Sequence, residues 1–512
     1  MSHEPGDPLP RSLLTPPAAD SRAAAEARHA ANAWAVADAR HARAAAHAHH
    51  AADALNTLRE RLRATLGAEL LVVDDARYAR DDGAEGPFPP GLVVRPRERA
   101  EVAELVALCH ELGVPLSPRG AGTGTVGGCL ADHGGVVLDL AGLDRILDID
   151  ERSLLAEVEP GVINAALQEA AEARGLFYPP DPASWKVCSL GGNVATNAGG
   201  PRACKYGVTG NFVLGLDVVT GTGEPLRVGH RSIKGVTGYN LAGLLVGSEG
   251  TLAVTTACTL RLVPKPSGAL TLLASFADEI DACAAVHRCQ TGGVVPTALE
   301  FADRLCVRAL LGAGGLAVPV PDDAKALLWI EIDGDEGGLD ASMLRAAQHC
   351  RDAGALDISL AGDPSARAQL WDVRRALSHT LRARWPKKIS EDVAVPLAQL
   401  PALTRAAREL GARHGLDVAS FGHAGDGNLH VNILYDPAAG PDVAERVHRA
   451  VADLFRVTIE LGGTLSGEHG IGISKRPYMP LEQSAPLRAL QLGLKRVWDP
   501  KNILNPGKLF PT

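Results

Sequence analysis

The sequence holds no apolar run near the ~18 residues that cross a bilayer. The nearest stretch, 241–254, is broken by Ser248, Glu249 and three glycines, Gly243, Gly247 and Gly250, so no spanning helix is expected. It also has no excess of positive charge: 51 Lys and Arg stand against 60 Asp and Glu, a net charge of −9. Such a chain lacks the field with which nucleic-acid binders gather phosphates, and no nucleic-acid partner is expected. No cysteine pair has C-x-x-C spacing, and the nine cysteines (109, 129, 188, 204, 258, 283, 289, 306 and 350) are odd in number. A disulfide framework, a zinc ribbon and an iron–sulfur module are therefore not expected. With no apolar leader segment either, the expectation is a reduced, cytoplasmic setting, either free or peripheral at the inner face of the membrane. There is no internal repeat.

What remains is a chain of 512 residues, 46% hydrophobic and 22% charged, which is ordinary for two to four globular domains. Residues 1–54 differ from the rest. They are rich in Ala, His and Arg, with high helix propensity and a weak apolar stripe. His47, His49 and His50 are spaced for metal chelation, but a solvated helical tail is the favoured reading. From about Leu55 onward, strand and helix patterns alternate. A strand at 92–94, a helix at 99–112, a strand at 114–118 and another at 136–140 make a β-α-β opening. Strands are expected at 154–158, 214–220, 252–262, 326–332 and 429–434. Helices are expected at 163–174, 341–353, 400–414, 445–461 and 487–498. Pro264 and Pro266 mark a domain boundary.

Two of the 55 glycines' clusters carry chemistry. Residues 117–128 read Ser-Pro-Arg-Gly-Ala-Gly-Thr-Gly-Thr-Val-Gly-Gly, within which Gly122–Gly127 fits G-x-G-x-x-G. A dinucleotide fingerprint needs a helix opening at the loop, and here a short polar stretch and a strand follow, so no NAD site is expected. A strand–loop–strand of this kind still cradles phosphates with successive N–H groups, and Arg119 adds charge. Residues 189–200, Ser-Leu-Gly-Gly-Asn-Val-Ala-Thr-Asn-Ala-Gly-Gly, read as a long glycine-rich loop that lets a flat ligand approach the backbone. Two such segments in one half point to a bulky phosphorylated cofactor.

These segments, with Pro179–Pro182, Lys205-Tyr206-Gly207 and Gly247–Leu252, resemble the FAD domain of the vanillyl-alcohol oxidase and p-cresol methylhydroxylase type. The second half resembles the FAD-linked oxidase C-terminal domain, in the branch of the glycolate oxidase FAD subunit, D-lactate dehydrogenase and D-2-hydroxyglutarate dehydrogenase. The implied fold is α+β: a two-part FAD-binding domain over 55–266, a substrate (cap) domain over 267–470, and a C-terminal segment, 471–512, returning to the flavin. The implied FAD contacts are Arg119, Gly120, Ala121, Gly122, Thr123, Gly124, Gly127 and Gly128 in the first loop. In the middle of the domain they are Pro180, Asp181, Leu190, Gly191, Gly192, Asn193, Thr196, Asn197, Gly199, Gly200, Tyr206 and Gly207. Glu249, Gly250 and Asn505 complete the set. Relatives that attach FAD covalently do so through a histidine in the first loop. This loop has none, so non-covalent FAD is expected.

Residues 421–432 read Phe-Gly-His-Ala-Gly-Asp-Gly-Asn-Leu-His-Val-Asn, and 467–472 read Gly-Glu-His-Gly-Ile-Gly. His430 and Asn432 share a strand face while Leu429, Val431 and Ile433 take the other, and His423 can fold back across the glycine turn. Two imidazoles and a carboxylate suit a catalytic divalent site, zinc first, with manganese or iron as alternatives. The resemblance implies His423, His430 and Glu468 as metal ligands, His469 as base and Asn432 as a substrate contact. It also implies that Arg374, Ser378 and Lys388 hold the substrate carboxylate; Arg374 and Ser378 are one helical turn apart. The expectation is oxidation of a small 2-hydroxy acid, D-lactate first, with glycolate and D-2-hydroxyglutarate as neighbours. Electrons would pass to a separate acceptor: a cytochrome, a quinone or an electron-transfer protein. A homodimer is a compatible assembly. A different class on the same fold, an alkylglycerone-phosphate synthase, transfers without net oxidation and has no use for the metal cluster.

Overall fold

The computed structural model describes residues 52–72, 76–83, 86–314 and 319–510. His47, His49, His50 and nearly all of the Ala/His/Arg-rich segment lie outside the described residues. Ala54–Thr512 makes one compact unit.

The β-α-β opening builds a small sheet in which Leu92–Val94 and Leu116–Arg119 both run parallel to Val136–Asp139. The connecting helix, Arg99–Leu112, buries Val102, Leu105, Val106 and Cys109 against that sheet. It stops at Gly113, whose φ of 68° turns the N–H back onto the carbonyls of Cys109 and His110. No helix opens in the 120–135 loop. An antiparallel five-stranded sheet follows, in the order 146–150, 155–158, 253–261, 213–220, 225–229.

The second glycine segment departs from the expected loop. Leu190–Thr196 is a helix, capped by the Ser189 hydroxyl, which accepts from the Gly192 N–H, and closed by Asn197 at φ 51°. Serine is a strong N-cap, which offsets the poor propensity of two glycines. Glycine is required at 191 because a Cβ there would lie 2.5 Å from the Pro160 side chain.

The second half forms one antiparallel seven-stranded sheet, in the order 355–361, 268–276, 326–334, 298–302, 417–423, 428–435, 387–394. One face is apolar throughout: Leu272, Leu328, Ile330, Val393, Val431 and Ile433 pack beneath the helices at 279–291, 336–352, 400–414 and 443–460. On the other face Leu327, Trp329 and Phe421 lie under Arg304–Gly312 and Pro364–Arg384. That second face turns polar along a row. Glu300 is opposite His423, Phe421 opposite His430, His430 opposite Asp392, and Asn432 opposite Ser390. Opposed residues in an antiparallel ladder share a face, so the register alone delivers these groups to one side.

After the helix Ala485–Trp498 the chain returns to the first half. Leu504 bridges to Leu116, and Asn505 donates to the carbonyls of Gly128 and Glu249, each at 2.7 Å.

Trp329 is wholly buried, and its indole N–H donates to the Leu370 carbonyl at 3.1 Å. Trp329→Ala is expected to cost about 3–5 kcal/mol, read from urea unfolding. A loss under about 1 kcal/mol, within the range of surface changes, would contradict this packing.

Candidate functional site

Two cavities adjoin the polar row. One, of about 260 Å³, is lined by the first glycine loop, the helix at 190–196, Glu249 and Gly250, and reaches Glu468 and His469. The other, of about 690 Å³, opens among Asp181, Arg374, Ser378, His423 and His430. The histidine and glutamate side chains stand where the two approach each other.

The smaller cavity suits a phosphorylated cofactor. Among the described residues, no group accepts from the backbone N–H of any residue from 121 to 125. The Asn193 amide nitrogen is buried without a partner. Free N–H groups in a glycine loop form a nest for an anion, and FAD supplies a pyrophosphate of that kind. Of the expected contacts, Arg119, Gly120, Ala121, Gly122, Thr123, Gly124, Gly128, Gly191, Gly192, Asn193, Thr196, Gly199, Glu249 and Gly250 line this cavity.

The others are placed differently. Asp181 lines the larger cavity, and burial pushes its carboxyl up to about 7 against the pull of Arg202. Gly127 gives its N–H to Asp81, and the Pro180 carbonyl accepts from Asn164 and Gln168. Leu190 is core, and Asn197 accepts from the Gly210 N–H. Gly200 and Gly207 are glycines for packing: a Cβ would meet the Asp181 carbonyl at 2.4 Å and the Asn211 side chain at 2.3 Å. Tyr206 donates to Asp333. The Arg119 guanidinium donates to the carbonyls of Arg77 and Arg80 and packs over Tyr78, so its charge braces that loop. Asn505 braces the cleft from behind.

The metal-type cluster is tight. Glu468 Oε1 lies 3.1 Å from His423 Nε2 and 3.5 Å from His430 Nε2. The two imidazoles meet edge to face at 5.2 Å, and His469 stacks on His430 at 5.2 Å and 5°. His423 Nδ1 is 2.6 Å from Glu300, while His430 Nδ1, Glu468 Oε2 and His469 Nδ1 are buried without partners. Burial opposes charge on His423, but Glu300 and Glu468 outweigh it and hold the imidazole well above its ordinary value. Burial and the neighbouring His423 and His469 hold His430 well below. Glu468 Oε1 thus faces both imidazoles, and two imidazoles with a carboxylate are a donor arrangement that suits a divalent cation.

Asp392, His430, Glu468 and His469 also offer ligand atoms within 4.8 Å of one another. Asp392, however, is already engaged. Its Oδ2 accepts from the Ser466 hydroxyl and the N–H groups of Glu468 and His469, at 2.7–3.0 Å, and its Oδ1 from Asn428. Burial would raise its carboxyl, yet His469, Lys475 and His430 hold it well below the usual range. Asp392 therefore seats the 466–469 segment, and Glu249 seats the next by accepting from the N–H groups of Ile471 and Gly472. With Asp392 so engaged, His423 and His430 each bring Nε2 to Glu468 Oε1.

Arg374 and Ser378 reach the larger cavity, whereas Lys388 stands behind Ser378 and donates to its hydroxyl at 2.7 Å. Asn432 is fully buried; its amide donates to Ala419 and His430 carbonyls, and it lines neither cavity. Sequence reasoning missed Glu300 and Asp392. The signal for Glu300 was a lone acid in the apolar run Ala298–Ala302, and for Asp392 the strand alternation opposite His430.

The chain matches the FAD binding domain model over residues 90–229 and the model for the FAD linked oxidases, C-terminal domain, over 265–509. It is similar to glycolate oxidase subunit GlcD of Bacillus subtilis, 39% identical over 85% of this chain and 92% of that one. It is similar to D-lactate dehydrogenase of Anaerostipes hadrus, 34% identical over 88% and 96%. The solved structure of p-cresol methylhydroxylase with substrate bound shares the fold, with a TM-score of 0.73 at 19% identity over 89% of this chain and 97% of that one.

If Asp392 seats the 466–469 segment, Asp392→Ala will speed hydrogen exchange at the Glu468 and His469 amides at least about tenfold, or 1.4 kcal/mol of lost protection. Unchanged exchange would contradict that role.

Proposed function

Because the chain belongs to the FAD-linked oxidase family, we propose that it is an FAD-dependent D-2-hydroxy-acid dehydrogenase with D-lactate as its leading substrate. The observation that carries this reading is the convergence of His423, His430 and Glu468 between the glycine-lined cleft and the larger cavity. Oxidising a 2-hydroxy acid removes a hydroxyl proton and a hydride from C2. Bound FAD supplies the hydride acceptor, and a divalent metal on the three ligands, zinc first, supplies acidification of the hydroxyl.

The chain's own groups do the remainder. His469, stacked on His430 with a free Nδ1, takes the hydroxyl proton. Arg374 presents a guanidinium to the substrate carboxylate from the cavity wall, with Ser378 one turn on. Lys388 adds charge through Ser378. Asn432 donates to the carbonyls of Ala419 and His430 and so ties together the strands that carry His423 and His430. A transfer reaction without net oxidation leaves this donor set without a task. The 39% identity to a glycolate oxidase subunit favours glycolate as the second substrate to try. Electrons then leave to a separate acceptor; among the described residues no helix is long and apolar enough to cross a membrane.

The test is anaerobic addition of D-lactate, glycolate and D-2-hydroxyglutarate to purified holoprotein, with the flavin band near about 450 nm as the signal. D-Lactate should bleach it, and a chelator should slow the bleaching. His469→Ala should retain FAD and lose about 10²–10⁴-fold in reduction rate; an unchanged rate would reject the base.

Burial, with a smaller contribution from Arg382, lowers Lys388 to about 8. The ammonium is thus present below that pH and lost above it. KM for D-lactate should rise above about pH 8, and Lys388→Arg, which stays charged, should move that limb to higher pH. A KM flat to pH 9.5 in the unmutated enzyme, about 1.5 units above that value, would remove Lys388 from substrate binding.

A further inference from the structure

Glu300 touches neither cavity. It is fully buried in the strand Ala298–Ala302, yet both of its carboxylate oxygens are committed to groups that face the site. Oε1 lies 2.6 Å from His423 Nδ1, and Oε2 accepts from the Arg374 guanidinium. The sheet register fixes the first contact, because Glu300 and His423 are directly paired across adjacent strands. Arg374 itself packs over Phe421, its guanidinium carbon 4.9 Å from the ring centroid. A buried carboxylate is costly unless paired, and here the pairing is complete, with one oxygen on His423 and the other on Arg374.

We propose that Glu300 is the positioning residue that makes His423 a metal ligand and couples that ligand to the carboxylate-binding Arg374. The inference rests on the metal reading given above. An imidazole binds a cation through whichever ring nitrogen is unprotonated, and the hydrogen bond at the other nitrogen decides which one that is. A carboxylate at Nδ1 accepts the proton there, so with a cation in place of the Nε2–Glu468 hydrogen bond the Nε2 lone pair is the one left to bind it. Among the described residues none performs this service for His430, whose Nδ1 lies 3.7 Å from Asp392 without a hydrogen bond. The two histidines are therefore unequal: His423 is oriented by an anion and His430 by packing against Phe421 and His469. Because Glu300 also neutralises Arg374, one buried acid sets the charge seen by both the cation and the incoming anion.

The opposing signs of those effects separate positioning from general loosening. Glu300→Gln is nearly isosteric and removes the negative charge. It should weaken zinc affinity about 10–100-fold, measured on the FAD-loaded protein by competition with a chromophoric chelator. With the fully zinc-loaded variant, KM for D-lactate should not rise, because Arg374 loses its internal counter-ion. A comparable loss of both affinities would mark a merely structural residue and overturn the proposal. Zinc affinity within threefold of the unmutated protein would overturn it too. His423→Gln serves as the reference. If it retains zinc affinity, the metal reading fails and this proposal with it; if it loses zinc while Glu300→Gln does not, only the proposal fails. One measurement needs no variant. Long-range ¹H–¹⁵N correlation on histidine-labelled, zinc-loaded protein should give His423 as the Nδ1–H tautomer, and an Nε2–H tautomer would overturn the assignment.

Discussion

A cross-strand register governs this site. In the seven-stranded sheet, Glu300 faces His423, Phe421 faces His430 and His430 faces Asp392, and each of these pairs follows from ladder geometry. A slip of one residue in any of the three pairings would turn one of these polar side chains into the apolar face beneath the helices at 400–414 and 443–460. The opposite face prevents that slip. Val393, Val431, Ile433 and Leu429 are all buried beneath the helices at 400–414 and 443–460. The apolar side of each strand therefore fixes the polar side, and the precision of the polar row is a consequence of ordinary core packing.

What the sheet does for two imidazoles, anchored loops do for the carboxylate. Glu468 and His469 sit outside regular structure, and a loop alone holds side chains loosely. Asp392 takes up the N–H groups of both residues, and Lys475, itself buried, donates to the carbonyls of Asp392 and Leu465. Glu249 performs the same function two residues on and ties the segment to the cofactor-lining strand end. Asn505 then bridges Gly128 and Glu249, so the end of the chain closes the cleft that the first glycine loop opens. Buried acids thus serve here as anchors for backbone N–H groups. Each is satisfied, which is the condition for ionised groups in a core.

Much of this was legible in the sequence. Period-two alternation from Leu429 to Ile433 placed His430 and Asn432 on one face, and the helix at 99–112 followed from Val102, Leu105, Val106 and Cys109. The glycine run at 120–128 pointed to a phosphate cradle because it holds more glycine and alanine than a tight turn needs, while the missing helix spoke against a dinucleotide fingerprint. The second glycine segment misled, since Gly191 and Gly192 lower helix propensity while close packing on Pro160 and the Ser189 cap restore the helix. Tyr206 and Asn505 carried the right types for a cofactor contact, but their hydrogen bonds go to the protein, while Arg119 lines the smaller cavity with its guanidinium tied to the Arg77 and Arg80 carbonyls. For Glu300 the lone acid in an apolar run marked the residue but not its role, because its partner His423 is 123 residues away and no local spacing encodes that distance.

The central claim is that two imidazoles and one carboxylate from separate segments bind a single cation beside the flavin cleft. X-ray absorption at the metal edge of the FAD-loaded protein tests it most directly. The account predicts one zinc-like centre per chain, with a shell of two imidazole nitrogens and carboxylate oxygen at about 2.0–2.2 Å and no sulfur. A sulfur shell near about 2.3 Å, or no imidazole scattering from a stoichiometric metal, would contradict it.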